Sequence, residues 1–170
     1  MRRARRMIVT VATLLLSVGA VAAQAQPHFA GSWVLDPAQS QFPTHERKGS
    51  DAQVERPEIT LVVEQQGNVL KAKRTVAKGN RERSLTETYV ADGSDQTKAG
   101  RHGAVVTRAV FDGDRLVVTG TYAMKGEQGD TTMSRQSVWT LSPDGTVLTI
   151  ETTLHGPRGE RSIKSIYTRS

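Results

Sequence analysis

The chain has no cysteine, and its 170 residues include only three Phe, three Tyr and two Trp. Without thiols there are no disulfides, no thiolate metal sites and no cysteine nucleophile, so stability has to come from one packed core. Helical periods are missing as well, and there is one notable apolar run. That run, residues 7–22 (MIVTVATLLLSVGAVA), follows Arg2, Arg3, Arg5 and Arg6 and precedes Ala23-Gln24-Ala25. A basic start, an apolar middle and a small-x-small end make up a secretory leader, with cleavage expected after Ala25. The run is shorter than the ~20 residues of a bilayer span. No stable membrane anchor is therefore expected, and acylation of a lipoprotein type is excluded by the lack of Cys. The expected layout is a signal peptide over 1–25, one domain over 26–170, and a periplasmic or secreted location.

Excess positive charge is largely a property of the leader. The whole chain carries 23 Lys and Arg against 17 Asp and Glu, a net of +6. Four arginines depart with residues 1–25, which leaves 19 against 17, a net of +2. The remaining cations are scattered among Asp, Glu and Thr along the sequence. Such scatter argues against nucleic acid or an anionic membrane as partner, because counterion-release binding needs a concentrated basic face.

Turn signals recur at short intervals: Gln66-Gly67-Asn68, Lys78-Gly79-Asn80, Asp92-Gly93-Ser94, Asp112-Gly113-Asp114, Pro143-Asp144-Gly145 and Gly156-Pro157-Arg158-Gly159. Segments rich in Val, Ile, Thr, Leu and Tyr lie between them, which predicts consecutive β-hairpins. The expected strands are 29–35, 58–65, 69–77, 83–91, 104–111, 115–124, 134–141, 146–154 and 161–168. Alternation fixes their faces, since successive side chains point to opposite sides. Leu116, Val118, Gly120, Tyr122 and Met124 share one side of 115–124; Leu148, Ile150 and Leu154 share one side of 146–154. Phe29, Gly31, Trp33 and Leu35 align near the start, and Ile163, Ser165 and Tyr167 near the end. Residues 38–57, polar and containing Pro43 and Pro57, read as a long first loop with Phe42 as a candidate lid. Residues 125–132 (KGEQGDTT) read as a mobile connection.

About eight to nine short strands joined in series must protect their edges, and an antiparallel up-and-down β-barrel does so by closing on itself. A two-sheet sandwich is the competing all-β architecture. Uniformly short hairpins favour the barrel, because sandwiches generally need long crossovers.

Gly31-Ser32-Trp33, within "HFAGSWVLDPAQSQF", has the Gly-x-Trp form of the first strand of lipocalins and other calycins, and the chain resembles the small secreted lipocalin-like proteins of bacteria. "VFDGDRLVV" and "WTLSPDGTVLTIE" are similar to hairpins of the same group, so the likeness spans residues 28–169. It departs from many classical lipocalins in lacking their Thr-Asp-Tyr motif and in its polar first loop. The resemblance implies that Gly31 and Trp33 belong to the closed barrel end, with Trp33 packed across it. It also implies a basic residue over the indole, Arg169 or else Arg161. A cation over an indole contributes ~0.5–2 kcal/mol.

A carrier barrel needs an apolar interior with a few placed polar groups. On the faces assigned inward, the polar exceptions are Arg74, Glu87 and Arg135. With Gly79-Asn80 as a two-residue turn, Arg74 and Glu87 become diagonal neighbours able to pair. Buried charges are costly unless matched, so such a pair implies a lined cavity, whereas rim positions would leave both in water. Tyr89, Tyr122 and Trp139 add aromatic surface to the same candidate ligand site, or are simple core. His28, His45, His102 and His155 fall in separate segments without metal-pair spacing. No Gly-x-Ser-x-Gly elbow or Gly-rich phosphate loop is present, and no cofactor is expected.

The leading expectation is an exported barrel that binds a small apolar or amphipathic molecule without catalysis. A packed interaction domain, meeting a protein partner through 38–57 and 125–132, is the alternative. A small hydrolase or isomerase using Glu87 as base ranks last. An interior of ~300 Å³ or more marks a carrier, and a Glu87 pKa raised by burial marks the enzyme.

Overall fold

Alternating side chains and Gly-centred corners fold into one antiparallel meander. The computed structural model describes residues 26–41, 57–100, 103–126, 129–157 and 159–170. The leader and Phe42 lie outside these residues, as do His45, His102 and most of the first loop. The described residues form ten strands: β1 (Gly31–Leu35), β2 (Glu58–Gln66), β3 (Val69–Lys78), β4 (Arg81–Val90), β5 (Asp92–Gly100), β6 (Gly103–Asp112), β7 (Arg115–Gly126), β8 (Gly129–Leu141), β9 (Val147–Gly156) and β10 (Gly159–Arg169). Their spatial order is β4-β3-β2-β1-β10-β9-β8-β7-β6-β5. First and last strands are therefore neighbours, with Trp33 opposite Arg169 and Leu35 opposite Tyr167.

Tight hairpins set the register. Gln66 pairs with Val69, Lys78 with Arg81 and Asp112 with Arg115, each pair enclosing a Gly as the first of two loop residues. Gly79 and Gly113 adopt φ of 54° and 62°, which a Cβ would strain, and a Gly at the first central position suits the II′ turn that matches strand twist.

Closure is nearly complete. Among the described residues no ladder joins the consecutive strands β4 and β5. Side chains bridge the seam instead: Gln96 Nε2 donates to the Val90 carbonyl at 3.2 Å and Lys98 Nζ to that of Thr88 at 3.4 Å.

Two sequence expectations need correction. β5, Asp92–Gly100 (DGSDQTKAG), is a full strand where a turn followed by a loop was expected. It has no apolar alternation, and its strand character comes from pairing with β6, with a register irregularity between Asp92 and Asp95. The expected connection over 125–132 is mostly strand: Met124 pairs with Thr131, Lys125 with Asp130 and Gly126 with Gly129, and residues 127 and 128 lie outside the described residues. Backbone hydrogen bonding extends that hairpin even though its sequence is polar and Gly-rich.

The core occupies the end where the segment around Phe29 and the C-terminal residues lie. Phe29, Trp33, Leu61, Leu70, Leu116 and Leu148 are almost wholly buried there. Phe29 and Tyr89 each meet Trp139 edge to face, with ring centres 6.0 Å apart, a favoured geometry for aromatic pairs. The hairpins at the other end surround the mouth.

Candidate functional site

Trp33 is fully buried and donates from Nε1 to the Phe29 carbonyl at 3.1 Å. The Arg169 guanidinium carbon lies 4.6 Å from the Trp33 ring centre. Arg161 sits opposite Leu154 at the other end of the barrel, so Arg169 is the residue over the indole. These contacts seal the base.

Above that base lies a cavity of about 260 Å³. Leu35, Trp139, Ile150 and Tyr167 form its lower wall, and Arg74, Glu87, Arg135, Ser137, Thr152 and Ser165 contribute a polar belt. Register explains the belt, because each of these residues continues an inward row begun by a core residue. Arg135 and Ser137 follow Trp139, and Thr152 follows Ile150, at the two-residue spacing of a strand. Ser137 is buried, and its hydroxyl meets that of Thr152 at 3.0 Å.

Arg74 opposes Leu85 and Ala72 opposes Glu87, so Arg74 and Glu87 are diagonal neighbours. Glu87 nevertheless makes its ion pair with a different arginine. Arg135 Nη2, on β8, donates to Glu87 Oε1 at 3.0 Å across the interior, while Arg74 remains exposed. The pair is half-buried, with side chains 21% and 32% exposed for Arg135 and Glu87. Burial by itself pushes the Glu87 pKa upward. The Arg135 charge and hydrogen bond, aided by the Tyr89 hydroxyl and the Arg74 charge, outweigh it and hold the carboxyl below its ordinary value. A base with a raised pKa, the mark of the enzymatic alternative, is therefore not found at Glu87. Burial likewise opposes the Arg135 charge, and Glu87, aided by Tyr89 and Tyr122, more than restores it. Tyr89 and Tyr167 are shifted upward, mainly by burial, and stay protonated near neutral pH.

Five of the six residues proposed from sequence line the cavity: Arg74, Glu87, Tyr89, Arg135 and Trp139. Tyr122 does not; its ring centre lies 5.8 Å from Arg135 Cζ, so it bears on the site through that guanidinium. Sequence reasoning missed Ser137, Thr152, Ser165 and Tyr167 as site residues. Their signal was the inward row itself, masked by the small size of Ser and Thr. Arg135 Nε is buried and has no hydrogen-bond partner among the described residues. No group of three or more potential metal ligands occurs among the described residues.

No family model matches the chain, and no curated protein matches it by sequence. Solved structures do resemble it. Zebrafish ileal bile acid-binding protein complexed with cholic acid is 15% identical with a TM-score of 0.52, and human cRBP IV is 13% identical with a TM-score of 0.52. Both cover 84% of this chain and 98% of their own. Secretory abundant heat soluble protein 4 of Ramazzottius varieornatus is 12% identical with a TM-score of 0.53, covering 84% of this chain and 94% of its own. The fold is that of the fatty-acid-binding, lipocalin-like β-barrels. At these identities the likeness establishes architecture.

Proposed function

We propose that this protein is exported and binds one small amphipathic molecule inside its barrel without transforming it. The carrying observation is the polar belt, where half-buried Arg135 and exposed Arg74 face one half-buried carboxylate, Glu87. Among the described residues one positive charge is left over, and Arg135 Nε, without a partner there, offers a buried donor. An acidic or strongly accepting head group matches both, since charge-assisted hydrogen bonds at a partly dry site are the stronger kind. The apolar part of the molecule lies against Leu35, Trp139 and Ile150. About 260 Å³ is just under the usual range of ligand pockets, ~300–1,000 Å³, so the occupant is small or extends through the mouth. The shared fold of a protein complexed with cholic acid is in keeping with this reading. Export rests on the leader pattern of residues 1–25.

The test uses octanoate and octanol as an anionic and neutral pair, read by indole fluorescence, because Trp139 lines the cavity. Saturable one-to-one binding is expected, tighter for octanoate. Removing the matched pair together, as Glu87→Gln with Arg135→Gln, and adding Arg74→Gln should abolish that preference. Lack of saturable binding by either compound, or octanoate binding unaffected by the triple change, would sink the proposal.

A further inference from the structure

Several cations that look dispersed in the sequence come together at one end of the barrel. Directly paired residues of antiparallel strands share a face, so Arg74 with Leu85, Val76 with Arg83 and Lys78 with Arg81 form three successive rungs on one side of the β3–β4 hairpin. The rungs climb from cavity to rim on the inward-facing side. Residues 81–86 are all exposed, so both faces of β4 see solvent there and the hairpin stands out as an arm beside the open seam. Leu85 is 60% exposed within this basic surface. Arg161 adds an exposed cation from β10.

Apart from Glu87, lower on the wall, the described acidic groups of β2, β4 and β10 at that end do not share that face. Glu58 and Glu82 both lie across from Ala77 on the outer side, and Glu160 Oε2 is 3.3 Å from His155 Nδ1. Exposed aspartates gather at the opposite end, where Asp92, Asp112, Asp114 and Asp144 occupy the turns of the sealed base. Among the described residues, the inward side of the rim carries cations and no carboxylate above Glu87, while aspartates gather at the turns of the base. Such a charge distribution turns the mouth toward a negative surface before contact.

We propose that the mouth, led by the β3–β4 arm, docks reversibly on an anionic lipid surface. Lys78, Arg81, Arg83 and Arg161 meet head-group phosphates while Leu85 and the stems of the long basic side chains cover apolar surface. An aliphatic side chain between arginines suits lipid. A single-stranded nucleic acid would call for aromatic stacking platforms, and the arm has none. This inference stands independently of the small-molecule reading, because it concerns the rim above the cavity lining.

The experiment uses the chain from Gln26 onward, which holds every described strand and lacks the arginines of the leader. Ligand-free protein is co-sedimented with vesicles of phosphatidylcholine alone or mixed with phosphatidylglycerol. Binding only to the mixed vesicles, weakened by high salt, is expected. Reversing the arm, as Lys78→Glu, Arg81→Glu and Arg83→Glu together, should reduce partitioning roughly 100-fold or more. A matched reversal of exposed cations on the outer face, Lys71→Glu, Lys73→Glu and Arg115→Glu, should retain most of it, with thermal melting confirming that both variants fold. Leu85→Ser should cost roughly tenfold. Equal loss in the two reversals would mean that only net charge matters and would overturn the proposal. Equal binding to neutral vesicles, no binding to mixed vesicles, or displacement by a single-stranded oligonucleotide that the protein prefers would do the same. Octanoate binding is a separate readout, so either proposal can fail alone.

Discussion

Arg169 lies over Trp33, 4.6 Å from guanidinium carbon to ring centre, as the directly paired residue on the neighbouring strand. One contact thus joins the first strand to the last and caps the indole that fills the base. Truncation of Trp33 to Ala removes a fully buried ring and leaves a hole beside Phe29, so a loss of ~3–5 kcal/mol is expected in urea unfolding. A loss under ~1 kcal/mol would show that the indole is peripheral. Arg169→Ala should cost less, ~0.5–2 kcal/mol, because the arginine is exposed. Arg169→Lys should recover only part of that, since it also loses the Nε bond to the Gly145 carbonyl at 3.1 Å.

Gly31 makes room for this stack. Its φ is +150°, and a Cβ there would come within 2.9 Å of Arg169 Nη1. The far end of an arginine can yield, whereas the backbone conformation cannot without strain. Gly31→Ala should therefore destabilise by ~1–3 kcal/mol. In the Arg169→Ala background most of the penalty should persist, and its disappearance would assign it to the steric clash instead.

Glu87 supplies a pH signature. Its carboxyl is held below the ordinary value in the folded chain, the Arg135 interaction outweighing burial. A depressed pKa means that the folded state binds its proton less readily than the unfolded state, so the stabilisation is complete above about pH 4.5 and is lost as pH falls through the folded value. Stability curves for the protein and its Glu87→Gln variant should run parallel from neutral pH down to about pH 5 and converge below it. Parallel curves throughout acid pH would show that Glu87 is not ion-paired in solution.

Strand pairing was legible where apolar alternation and Gly corners coincide, as in 115–124 and 146–154. It failed in Asp92–Gly100, where no residue pattern separates a polar strand from a loop and the neighbour β6 decides. The identity of the belt residues was also largely legible, because an inward Arg or Glu interrupts an apolar row. Which arginine pairs with Glu87 was not. A hairpin fixes Arg74 beside Glu87 locally, but the distance to Arg135 depends on how far the sheet curls, and no local pattern records that curvature. The gathering of cations at the mouth was hidden as well, since Arg83 and Arg161 are far apart in sequence and come to one rim only when the sheet curls round.

The leader reading predicts one cut. Material recovered from the exported fraction should begin at Gln26, two residues before His28 and five before β1, when its intact mass is measured. Protein isolated outside the cytoplasm with Met1 through Ala25 still attached would overturn the proposed cleavage.

The seam between β4 and β5 should show itself in hydrogen exchange. β8 is laddered to β7 on one side and β9 on the other, whereas β4 and β5 each have a ladder on one side only. Edge strands open by local fluctuations that a doubly paired strand resists. Amides of β4 and β5 should therefore exchange ahead of those in the centre of β8, and replacement of Gln96 and Lys98 by Ala should accelerate β4 further by removing the donors to Val90 and Thr88. Uniform protection across all ten strands would mean that the barrel closes fully in solution, with the two edges paired.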